Sequence, residues 1–306
     1  MKYLIIGAGG TGGAIGGFMA KAGKDVTLIA RGTHLQNMLE NGLKFETPDG
    51  NYAVPVKACT MNDYHDIPDV IFVCVKGYSL DVTIPFSSRI ASSHTVVIPI
   101  LNIYGTGGQM QKKLPEINVT DGCIYIAAEI KEPGTILMSG KIFRVVFGLR
   151  KDASASVKAA VMPVLRTVEQ DLSDSGILPI LSEQIEKDAL QKFSFVSPMA
   201  AMGAYYNIQA FAMQMKGQFR STFISLVREI KALSDAMGVS LPDNIVDINL
   251  KIMDDLAPTA TASMHRDIMA GKNSEIDGLV FEVIRLGKQY GVETPVYEMI
   301  AEKFQK

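Results

Sequence analysis

The chain has 306 residues, a hydrophobic fraction of 47%, a charged fraction of 20% and a formal net charge of −2. That length carries two domains with separate cores, and the composition is that of an ordinary globular protein rather than a disordered one. The small net charge gives no electrostatic drive toward nucleic acid or an anionic membrane, so neither is expected as a partner.

The three cysteines, Cys59, Cys74 and Cys123, are scattered and outside any C-x-x-C spacing, which argues for a reducing compartment and against a disulfide framework. His34, His65, His94 and His265 are equally dispersed, so no structural metal is expected. No apolar run approaches the ~20 residues of a bilayer span, and the glycines between residues 7 and 17 disfavour a signal-peptide core. A cytoplasmic protein is expected.

In chain order, the apolar run Tyr3 to Ile6 breaks into Gly7-Ala8-Gly9-Gly10-Thr11-Gly12, and apolar residues then recur at helical spacing through Met19 and Ala22. This reads as strand, tight turn and helix. Gly7 permits the turn, Gly9 lets backbone approach a pyrophosphate, and Gly12 lets the helix pack on the strand. The helix start adds free N–H groups and a positive dipole end. A second apolar run, Val26 to Ala30, completes a βαβ unit, so residues 7–12 are candidate dinucleotide ligands. The strand then ends in Arg31, followed by Gly32, Thr33 and His34, with no carboxylate where an NAD site places one. The loop offers a guanidinium, a hydroxyl and an imidazole to a 2′-phosphate, so NADP(H) is expected over NAD(H).

Residues 35–41 suit a short helix, and residues 43–59, with Pro48-Asp49-Gly50 inside, suit a hairpin or two short strands. The runs 69–75 and 95–101 suit buried parallel strands. They end in Lys76 and Asn102, at the carboxyl side where open α/β sheets bind ligands. Lys76 can reach cofactor phosphate or ribose, and Asn102 can bond ribose, nicotinamide or substrate; a solvated lysine and an Asx turn are the plain alternatives. Three late strands at 122–128, 135–138 and 143–147 finish the first domain, followed by a helix over 156–169 and an apolar run at 177–181. The expected architecture is α/β: a Rossmann-type doubly wound sheet over residues 1–181, followed by an all-helical domain over residues 182–306.

In the second half Ile185, Ala189, Lys192, Val196 and Met199 share one helical face. A lysine in such a stripe pairs with an anion, reaches water by snorkelling, or has a lowered pKa. Pro198 is expected to kink or end this helix. Helices follow over 219–233, 243–256 and from Pro295 almost to the end. Ser274 and Asp277 have capping-box-like spacing, so Glu275 falls in a helix's first turn, where acidic residues are common for dipole reasons alone.

Gly7-x-Gly9-x-x-Gly12, Arg31, Val75-Lys76-Gly77-Tyr78, Asn102, Lys192-Phe193 and Ser263-Met264 with Asn273-Ser274-Glu275-Ile276-Asp277 together resemble the ketopantoate reductase family, the 2-dehydropantoate 2-reductases, over nearly the whole length. The resemblance implies a Rossmann domain, a helical domain and a cleft between them where NADPH reduces a 2-oxo acid, in a homodimer. It implies Lys192 as the general acid on the ketone oxygen, Glu275 as its orienting partner and a substrate ligand, and Ser263 with Asn102 as substrate ligands. The chain departs from the family at Val196 and Ala200, where Asn is usual, and at Leu101-Asn102-Ile103, where Gln-Asn-Gly is usual. Lost amides make the pocket more apolar and redirect specificity. Ketopantoate is the default substrate, a less polar branched or aromatic 2-oxo acid the alternative, and a non-catalytic NADP-binding sensor the alternative of another class.

Overall fold

In the computed structural model of the chain, residues 1–305 are described; Lys306, the last residue of the expected second domain, lies outside the described residues. β1 (Lys2–Ile6) sends Tyr3 and Ile5 into one core cluster and Leu4 and Ile6 into another, so both its faces are covered. It is followed by α1 (Gly10–Lys21), β2 (Asp25–Ile29), α2 (Gly32–Asn41), the antiparallel hairpin β3 (Leu43–Thr47) and β4 (Gly50–Val54), and β5 (Lys57–Cys59). Then come β6 (Val70–Val73), α3 (Leu80–Ile90), β7 (Val96–Pro99), α4 (Thr106–Lys113) and β8 (Asn118–Val119). Six strands form one parallel sheet in the order β5-β2-β1-β6-β7-β8. This is the doubly wound order of dinucleotide-binding sheets, and the direction of winding switches between β1 and β6.

The late strands do not extend that sheet. β9 (Asp121–Glu132) and β10 (Thr135–Gly148) pair antiparallel in a second sheet, ordered β11-β10-β3-β4, with β11 (Leu178–Leu181) at its edge after α5 (Ala155–Asp174). The two short strands expected at 135–138 and 143–147 are thus one strand with an irregularity between Met138 and Phe143. β10 pairs in parallel with β3 along its first part and with β11 along its last.

α1 lies between the two sheets, and its glycines record this. A Cβ at Gly12 would stand 2.1 Å from the Gly7 carbonyl oxygen and 2.9 Å from Ile5, and one at Gly16 would stand 2.8 Å from Leu28, all in or beside the first sheet. On the other side, Cβ atoms at Gly10, Gly13 and Gly17 would meet Ala128, Ile136 and Phe45 of the second sheet at 2.3, 2.9 and 2.3 Å. Each glycine costs a helix ~1 kcal/mol relative to alanine. Here close approach on two faces leaves no room for the alanine.

Asp121 is buried and accepts a 2.8 Å hydrogen bond from the Gly107 N–H in the first turn of α4. Burial pushes its carboxyl up to about 6, against a partial offset from that bond and from Arg150. A group whose pKa is raised by folding stabilises below its unfolded value and loses that contribution as pH rises through the folded one. The melting temperature is therefore expected to fall between about pH 4 and 6 through this group, and Asp121→Asn to flatten that fall. Parallel melting curves of the two proteins across this range would count against the assignment.

By compactness the chain divides into one unit of residues 1–101 and 105–186 and a second of residues 102–104 and 187–306. The second is helical: α6 (Ile185–Tyr206), α7 (Ala210–Gln214), α8 (Gln218–Ala236), α9 (Ile245–Asp255), α10 (Ser263–Met269), a π turn (Asp277–Phe281), α11 (Glu282–Tyr290) and α12 (Pro295–Glu302). Its core joins Phe223, Leu226 and Ile230 of α8 to Ala200, Ala201 and Met202 of α6 and to Leu279, Val280 and Val283. α6 does not end at Pro198 but continues through it to Tyr206. Proline lacks the N–H that the Ser194 carbonyl needs four residues back. The fully buried Asn249 of α9 supplies that donor, with Nδ2 3.0 Å from the Ser194 oxygen.

Candidate functional site

In the first unit, the turn after β1 is built for close approach. Gly7 has φ of +97°, and a Cβ there would stand 2.9 Å from Val75 Cγ1 and 3.0 Å from the Cys74 carbonyl oxygen. The turn thus rests on the segment after β6, beside Lys76, which begins the single 3₁₀ turn Gly77–Ser79. Gly9 precedes the first turn of α1 with no side-chain cap and no acidic residue in that turn, and a Cβ on it would meet nothing within 4 Å. The helix start is therefore open at Gly9, and its first backbone N–H groups suit a pyrophosphate. Ala8 is buried at the apex.

Arg31 is exposed and stands immediately before the first residue of α2. His34, expected beside it as an open imidazole, is otherwise engaged. Its Nδ1 accepts from the Gly134 N–H at 2.9 Å, so its Nε2 carries the proton and donates to the Ala8 carbonyl at 2.8 Å. Burial lowers the pKa of the ring, although the Ala8 bond works against this. The side chain is a neutral brace that fixes the glycine turn against the β9–β10 hairpin and ties it to the helix that follows Arg31. Sequence reasoning missed this, because the partners stand 26 and 100 residues away.

In the second unit, Lys192 Nζ donates a 2.7 Å hydrogen bond to Asn102 Oδ1. Asn102 belongs to this unit although it follows β7. Of the expected stripe, Ile185 and Met199 are buried but Ala189, Lys192 and Val196 are only half-buried, whereas Leu190, Phe193, Ser197 and Ala201 are all buried. Serines hid the true core face from a hydropathy pattern. Ser197 Oγ bonds the Leu279 carbonyl and Tyr297, both at 2.6 Å, and Ser194 bonds Asn249, so neither leaves an unmet polar group. Lys192 is thereby half-buried at the margin of the core, with its ammonium held by an amide oxygen. Glu275 is buried directly before the π turn, and its carbonyl accepts from the Leu279 N–H. Ser263 is the half-buried first residue of α10. An oriented ammonium, a buried carboxyl group and a helix-start hydroxyl are groups suited to binding an oxo acid and delivering a proton to it. Among the described residues no group of His, Cys, Asp and Glu is arranged to hold a metal, and no helix is long and apolar enough to cross a membrane.

The first unit thus has the doubly wound sheet and open glycine turn of a dinucleotide-binding fold, and the helical unit that follows it carries an amide-held lysine. The profile of ketopantoate reductase PanE/ApbA matches residues 3–152, and that of its C-terminal domain matches residues 184–306. The chain belongs to this family, whose members are NADP-dependent oxidoreductases. It is 26% identical over 305 residues to the "uncharacterized oxidoreductase YkpB" of Bacillus subtilis, covering 100% of this chain and 98% of that one. It is 24% identical to the 2-dehydropantoate 2-reductase of Aquifex aeolicus, covering 99% and 95%. Its fold matches D-mandelate dehydrogenase, solved with NADH and anilino(oxo)acetate, at a TM-score of 0.88 and 21% identity, covering 99% and 96%.

Proposed function

We propose that this protein uses NADPH to reduce a small 2-oxo acid to the 2-hydroxy acid, with Lys192 as the general acid. The observation that carries the reading is the 2.7 Å hydrogen bond that aims the Lys192 ammonium, on a helix of a chain whose first unit has an open dinucleotide turn. The bound dinucleotide supplies hydride. Reduction puts charge on the ketone oxygen, and Lys192 stabilises that charge and gives the proton. Asn102 holds the lysine in place, Glu275 orients it and binds substrate, and Ser263 takes the substrate carboxylate. Gly7, Ala8, Gly9, Gly10, Thr11 and Gly12 hold the pyrophosphate, and Lys76 and Asn102 bond the rest of the dinucleotide. A homodimer belongs to the same proposal.

Ketopantoate is the default substrate, which the name of the Aquifex relative supports. Val196 and Ala200, where the family usually has amides, favour a less polar branched or aromatic acid. A panel of 2-oxo acids followed by loss of NADPH absorbance tests both. A large preference for ketopantoate over 2-oxoisovalerate removes the apolar alternative, whereas tight NADPH binding with no turnover on any acid means a non-catalytic binding module.

The preference for NADPH rests on Arg31, exposed beyond β2 with no carboxylate beside it in the loop. Arg31→Ala is expected to weaken NADPH by about tenfold, the scale of one charge-assisted phosphate contact, and to leave NADH nearly unchanged. An unaltered ratio of the two cofactors in steady-state kinetics would remove Arg31 from the 2′-phosphate.

A further inference from the structure

Three consecutive residues dock on the helical unit. Asn102 receives the Lys192 hydrogen bond, and the Tyr104 ring lies 6.1 Å from that of Phe193, the next residue of α6. Between them, Ile103 covers Gly278 in the π turn. A Cβ on Gly278 would stand 2.3, 2.5 and 3.0 Å from Ile103 Cδ1, Cγ1 and Cγ2, so almost the whole side chain occupies the space a methyl would need. Gly278 does not have a positive φ, so its backbone accepts alanine, and the three atoms nearest the added methyl all belong to Ile103. Isoleucine is stiff about χ1 and cannot simply swing away.

We propose that Ile103 and Gly278 are a knob and its socket, and that this fit sets where Asn102 holds the Lys192 ammonium. A single hydrogen bond to a lysine on its four-carbon stem does not fix the position of the amide; a packed neighbour does. The socket also lies three residues beyond Glu275, whose carbonyl begins the same helical turn, so one fit registers the segments bearing Asn102 and Glu275 together. π turns recur at functional sites because they re-aim the side chains around them. Ile103 and Gly278 are positioning residues for the reductase reading, on which this inference rests.

The test is a double-mutant cycle of I103A, G278A and the pair in the full-length protein. G278A is expected to lower kcat by up to about 10²-fold, the scale for ~1 Å of misplacement. The KM for NADPH is expected to change far less than kcat, since Asn102 is one of several groups proposed on the dinucleotide while Lys192 alone delivers the proton. I103A/G278A is expected to regain most of the turnover of I103A, because the methyl then has room. A second readout needs no activity: carbon-13 reductive methylation gives Lys192 a resonance, assigned by its loss in K192R, whose titration shifts in G278A and returns in the double variant. Losses that simply add in turnover, or a Lys192 titration that does not return, overturn the proposal. Failure of the wild-type protein to reduce any 2-oxo acid sinks the reductase reading and leaves the Lys192 titration to decide this one.

Discussion

Lys192→Ala is expected to cut turnover by at least about 10²-fold, the usual yield of a positioned general acid, while NADPH affinity stays nearly constant. Lys192 is half-buried with its ammonium held by Asn102, so in the proposed reaction it meets the developing alkoxide already oriented. Lys192→Arg keeps the charge but replaces a compact proton donor with a planar guanidinium that does not deprotonate, so it is expected to recover little. The measurement is single-turnover reduction at saturating NADPH alongside a fluorescence titration of the nucleotide. Unchanged turnover in the alanine variant would falsify the role of Lys192, and a collapse of nucleotide affinity would relocate it to cofactor binding.

Gly12→Val and Gly9→Ala are expected to separate folding from binding at the glycine turn. At Gly12 the added carbons meet the Gly7 carbonyl oxygen at 2.1 Å and Cys74 Cβ at 2.9 Å, so helix and turn must part. Overpacking of this kind costs about 1–3 kcal/mol, with a melting point several degrees lower. Nucleotide affinity is expected to fall at least about tenfold, or ~1.4 kcal/mol. At Gly9 the methyl meets no protein atom within 4 Å and φ is −72°, so stability is expected to be unchanged while affinity falls. Thermal melts and nucleotide titrations on both variants check this. A Gly9→Ala protein that binds NADPH normally means that the pyrophosphate does not lie against that residue.

What was legible in the sequence was local. The glycine turn, the apolar strands at 69–75 and 95–101 and the helical second half each show within a short window, because buried parallel strands and amphipathic helices repeat over a few residues. The second sheet was not legible as a sheet, since β10 draws partners from β3, β9 and β11 and no short pattern encodes that choice. That α6 does not end at Pro198 was hidden for a related reason. The donor that meets the Ser194 carbonyl lies 55 residues beyond it, so whether proline ends this helix is decided by tertiary context. At the candidate site the individual residue types were visible, but the meeting of Lys192 with Asn102 spans 90 residues. Ile103 showed in sequence only as a departure from the family's usual glycine, without its socket.

The helix pressed between two sheets has a consequence for how this protein can change. Five of the first eight positions of α1 are glycine, and all five are blocked by neighbouring atoms, so a side chain added at any of them costs stability. Arg31 is exposed and has no such neighbours to displace. Selection for a different nucleotide would therefore leave the phosphate turn untouched and act at the loop after β2, where one exchange of charge costs the fold almost nothing.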